Sequence, residues 1–148
     1  MNKQTFVREV AARLGCDPQG AAGVTFVVLQ ELRNRLTPEE VRDVAAQLPS
    51  GLKRFWLEHD HPDRRVARTH RTEFLGRIRR WAALVDDAEA ERAVRAVFGV
   101  LQTLLGSTTG MEGESWDIFS QLPKDLKTLW IAANAPPPMP TDRQAHAS

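Results

Sequence analysis

The chain has 148 residues, of which 42% are hydrophobic, and its 20 Lys and Arg against 19 Asp and Glu leave a formal net charge of +1. That length suits one globular domain burying on the order of two-thirds of its unfolded surface, and the charge balance excludes a chain that is basic throughout, so any attraction to phosphate must be local. A single cysteine, Cys16, excludes an intramolecular disulfide, the first residues lead into an amphipathic segment rather than a signal-peptide core, and no apolar run approaches the roughly 20 residues of a membrane span; a cytoplasmic protein without membrane attachment is expected.

In chain order, Phe6, Val10 and Leu14 recur at the spacing of one helical face, closed by Gly15, and Asp17-Pro18 starts a new helix. Within residues 21–36, the run Val24-Thr25-Phe26-Val27-Val28-Leu29 taken alone reads as a buried strand, because β-branched and aromatic residues favour pleated surfaces. A later stretch with matching residues, from Asp86 to Leu101, is rich in Ala, Glu and Arg and long enough for a helix, so both are read as buried helices. Thr37-Pro38-Glu39-Glu40 has the composition of a capping box and precedes an inward stripe of Val41, Val44, Ala45 and Leu48. Pro49 breaks the chain before a short helix carrying Leu52, Phe55 and Trp56. Beyond a basic connection, the next helix holds Phe74, Ile78 and Trp81. After the Asp86 helix, a glycine-rich loop from Gly106 to Glu114 leads to Trp116-Asp117-Ile118-Phe119. Pro123 then breaks the chain, and a last helix holds Leu126, Leu129 and Trp130. From Ala135 to Ser148 a proline-rich, polar stretch reads as a disordered tail.

The chain repeats itself. Gln47-Leu48-Pro49 with Leu52, Phe55 and Trp56 is matched by Gln121-Leu122-Pro123 with Leu126, Leu129 and Trp130. Phe26-Val27-Val28-Leu29-Gln30 is matched by Phe98-Gly99-Val100-Leu101-Gln102, and Phe6 and Val10 by Phe74 and Ile78. Each copy of such a repeat is one supersecondary unit that needs its neighbour to bury its apolar face. The expected fold is all-α: two tandem similar repeats of about four helices each, packed as one pseudo-symmetric domain over residues 1–134, with repeat one at 2–57, a basic connection at 58–71, repeat two at 72–131 and the tail at 135–148.

These paired Gln-Leu-Pro-x-x-Leu-x-x-Phe/Leu-Trp elements and the Leu-Thr-Pro-Glu-Glu at 36–40 resemble bacterial domain-of-unknown-function family 2267, from Phe6 to about Trp130. The resemblance implies an all-helical duplicated domain in a bacterial cytoplasmic protein and brings no activity, cofactor or catalytic residue. The glycine-rich loop before Trp116, the extra length around Trp81 to Asp87 and the proline tail depart from an even repeat.

No catalytic motif orders the Ser, His and Asp residues, so a non-enzymatic protein without cofactor is expected. The densest charge is at the junction, where Arg64, Arg65, Arg68, Arg71, Arg77, Arg79 and Arg80 crowd among four acids. Guanidinium forks suit phosphate oxygens, which makes Arg64, Arg65, Arg68, Arg71, Arg77 and Arg80 the candidate nucleic-acid contacts; a solvated linker and polar helix face is the plainer alternative. His59 and His61, with His70 further on, have metal-ligand chemistry, but their spacing beside Pro62 fits a polar turn better than zinc. Trp56 and Trp130 are placed by their periodicity in the core rather than on a binding surface. The leading expectation is a monomeric helical module binding a protein partner through a groove between the halves, with nucleic-acid binding through residues 64–80 as the alternative.

Overall fold

The computed structural model describes residues 2–48, 50–58, 60, 63, 65–68, 70–105, 118–120, 122 and 124–133. The glycine-rich loop, Trp116, the Pro-rich tail, His59, His61 and Arg64 lie outside them. Where the sequence offers a cap, a helix begins. Asn2 accepts the Thr5 N–H at 2.9 Å to open α1 (Lys3–Leu14), which Gly15 closes in the left-handed conformation at φ 69°. Asp17 accepts the Gly20 N–H at 2.7 Å ahead of Pro18, the first residue of α2 (Pro18–Asn34). Thr37 and Glu40 exchange both bonds of a capping box, at 3.2 and 2.7 Å, at the head of α3 (Pro38–Gln47). Then come α4 (Ser50–Leu57), α5 (Arg71–Trp81), α6 (Asp87–Leu104, capped by Asp86) and α7 (Lys124–Ala132). Residues 118–120 are also helical, and no described residue is in a strand.

The strand-like run of the first half is helical because its position decides it. In α2, Thr25, Val27, Val28, Leu29 and Leu32 are all buried, so the helix is apolar around much of its circumference and loses the simple 3.6-residue alternation. The same holds for α6, where Ala93, Val94 and the unbroken run from Ala96 to Gln102 are buried.

These two long helices form the centre. Helix α1 packs on α2 and crosses to α6, α5 packs on α6 and crosses to α2, and α2 and α6 touch directly. The cross-packing is therefore reciprocal between the halves. α4 lies against α3, α2 and α1, and α7 lies against α6. Phe6 and Phe74, Val10 and Ile78, and Trp56 and Trp130 are buried as matched pairs. The last helix of each half ends on a side chain from the long helix: Arg33 Nη1 donates to the Trp56 carbonyl at 2.7 Å, and Gln102 Nε2 to the Trp130 carbonyl at 2.8 Å. Those donors satisfy buried carbonyls at a helix C-terminus, which otherwise cost stability.

Trp81, placed by spacing with Phe74 and Ile78, is 63% exposed. The inward stripe is Phe74, Leu75 and Ile78, and it continues one turn later to the half-buried Ala82, leaving Trp81 on the flank of the final turn. The chain then turns through Ala83, whose φ of 56° is left-handed for a residue with a Cβ.

Candidate functional site

Between the halves, α2 from Gln19 to Glu31 and the end of α5 border a groove of about 660 Å³. Its floor is Val24, Phe26 and Val27, its lip is Trp81, and its polar edge includes Gln30 and the pair Glu31–Arg77. That pair is formed at 2.8 Å between a carboxylate only 8% exposed and a half-exposed guanidinium. The hydrogen bond that Arg77 Nε donates to Glu31, and then the charge of that carboxylate, hold the Arg77 guanidinium above its ordinary pKa. A smaller pocket of about 260 Å³ shares Gly20, Val24 and Ala82 with the groove and continues past Leu84 to Arg92. It shares Leu14 and Arg92 in turn with a cleft of about 640 Å³ lined by Arg13 and Arg95. The three depressions lie end to end, an exposed indole at one end and arginines at the other.

Of the junction arginines, Arg65, Arg68 and Arg80 are exposed. Arg71 and Arg77 have internal partners: Arg71 pairs with Glu91 on α6 and donates to Thr128 Oγ1 on α7 at 3.3 Å, while Arg77 holds Glu31 on α2. Arg79 lies 3.6 Å from Asp87. The residues therefore spread from the connection onto two flanks of α5, and those with partners pin α5 to its neighbours. His70 is the N-terminal residue flanking α5, exposed, its carbonyl accepting from Arg35 Nη2 at 3.3 Å. Among the described residues no three His, Cys, Asp or Glu side chains gather as a metal-ligand set. Cys16 is exposed.

The model for a family described as an uncharacterized conserved protein, DUF2267, matches residues 3–129. The chain belongs to that family. No curated protein matches it. Membership of DUF2267 accounts for the helical body from α1 into α7 and assigns no role to any side chain. No described helix of this DUF2267 chain is long and apolar enough to cross a membrane.

Two features of the trough escaped sequence reading. Trp81 was legible only as another residue at helical spacing, and its exposure follows from where α5 ends. Arg13, Arg92 and Arg95 lie far apart in the chain and share no motif; the one sequence signal is Gly99, which interrupts a helix where the matched residue is Val27.

Proposed function

We propose that this DUF2267 protein is a cytoplasmic, monomeric, non-enzymatic interaction module that docks an apolar segment of a protein partner in the groove beside Trp81. The observation that carries the reading is the 63% exposure of Trp81 at the lip of a groove floored by Val24, Phe26 and Val27. A large aromatic side chain in water beside an apolar concavity is the form of an interface anchor, because tryptophan supplies much contact area at little conformational cost. Val85, 81% exposed, adds a second apolar side chain in the turn that follows. Gln30 and the Glu31–Arg77 pair give the groove the polar rim that surrounds such anchors. A single cysteine supports the reducing compartment.

The test is affinity capture from the native host with wild type and Trp81→Ala in parallel. A partner retained by wild type should bind Trp81→Ala about 30-fold more weakly, the loss of roughly 2 kcal/mol that defines an anchor. Trp81→Ala should keep the wild-type helical content, since the side chain is largely in water. An unchanged set of retained proteins would overturn the reading, and a dimer in sedimentation would overturn the monomer.

A further inference from the structure

At the far end of the trough three arginines face one cleft. Arg13 comes from the last turn of α1, and Arg92 and Arg95 stand one turn apart on α6. Leu14, Ala96 and Ala133 complete the walls, so no carboxylate lines this cleft among the described residues. Arg95 donates to the Ala132 carbonyl at 3.4 Å, a contact with the C-terminus of α7 that engages only the partial charge of a helix end. Arg13, Arg92 and Arg95 thus bring three guanidinium groups to one cleft, whose concave shape focuses their positive field.

Gly99 shows that the convergence has a cost elsewhere in the fold. It lies on the same face of α6 as Arg92 and Arg95, at the position matched by Val27 in the first half. Glycine inside a helix is less favourable than alanine. A Cβ at Gly99 would overlap the Arg13 guanidinium and come within 3.2 Å of the Ala133 carbonyl oxygen. The missing side chain is what allows the arginine of α1 to lie across α6 beside the other two.

We propose that this cleft binds a small molecule through a phosphate or diphosphate group. Planar guanidinium forks match phosphate oxygens two at a time, and three of them neutralise a multiply charged anion that one lysine or one helix end would not hold. The cleft volume of about 640 Å³ is that of a small-molecule site. The adjoining pocket, with Leu14, Val24 and Leu84 in its wall, offers apolar space for the rest of the molecule; Glu89, also in that wall, keeps a second anionic group away.

Isothermal titration of the full chain with pyrophosphate at low salt tests the site. Wild type should show saturable binding, weakened about tenfold or more in Arg92→Gln, where an exposed guanidinium is lost. Gly99→Ala should weaken it similarly, although it keeps every charge and adds a better helix former, because it evicts Arg13 from the cleft. Arg42→Gln, on a helix outside the cleft, removes the same charge as Arg92→Gln and should leave affinity unchanged. The proposal falls if wild type shows no saturable heat, or if Arg42→Gln weakens binding as much as Arg92→Gln. It falls also if a short single-stranded oligonucleotide binds and pyrophosphate does not displace it, which would make the surface one for a polymer backbone. None of these outcomes depends on Trp81.

Discussion

Arg33 and Arg35 sit two residues apart at the end of α2, both buried, with different sets of partners. Arg33 Nη1 donates to the carbonyls of Trp56 and Glu58 at 2.7 and 2.8 Å, and its Nε lies 3.4 Å from Asp60. Arg35 donates to the His70 carbonyl at 3.3 Å and stacks on Phe74, with its carbon 5.5 Å from the ring centre, while its Nη1 is buried with no hydrogen-bond partner among the described residues. Burial lowers the Arg35 pKa from its ordinary value, and the charges of Asp125, Glu31 and Glu73 offset part of that penalty. Arg33→Met should therefore cost about 3 kcal/mol, since it removes a buried charged donor from two carbonyls and from the Asp60 carboxylate. Arg35→Met should lie within about 1 kcal/mol of wild type, because the desolvation of a poorly satisfied cation is relieved as its bonds are lost. Urea melts of the two variants decide this, and equal losses would contradict it. Nothing in the sequence separates these arginines, whereas the burial of Trp56 and Trp130 was legible from periodicity: apolar placement is a local pattern, and a guanidinium's partners are set by whichever chain end folds over it.

The same division appears among helix starts. Asp17 and Thr37 cap α2 and α3 from within four residues and were legible as they stand. Helix α5 has no such cap: His70 makes no side-chain bond to its own helix, and the Arg71 N–H instead donates to the carboxylate of Asp125, on α7. The cap is tertiary, so no stretch of sequence announces it. Asp125→Ala should cost about 1 kcal/mol, the value of a lost cap, and should speed hydrogen exchange at the first turn of α5 about fivefold. Thr37→Ala should cost a similar amount but loosen only α3. If Asp125→Ala left the amides of α5 as protected as before, the bridge from α7 would have no energetic weight. The strand-like stretch in α2 has the same origin at the scale of an element: a central helix buried on many sides loses its alternation, and only the matched stretch in α6, with its Ala, Glu and Arg, made the helix readable.

For the molecule as a whole, the decisive fact is that each half packs its first helix on the other half's long one. Phe6 and Val10 sit on a helix shared between α2 and α6, and Phe74 and Ile78 on one shared between α6 and α2, so the apolar stripe of each is covered only in part within its own half. A fragment cut within the connection, 1–66 or 67–148, keeps its helix signals but exposes about one face of its central helix, and a half this short is marginal even with its core intact. Each fragment alone should therefore show little helix by circular dichroism, and an equimolar mixture should regain helicity with a concentration-dependent melting temperature. The trough runs along the junction, with Val24 and Arg13 from one half and Trp81, Arg92 and Arg95 from the other. Recombined fragments should accordingly recover pyrophosphate binding together with helicity, and neither alone should bind. A half that melted cooperatively by itself would show that the reciprocal crossings are an accessory to two independent cores rather than the closure of one.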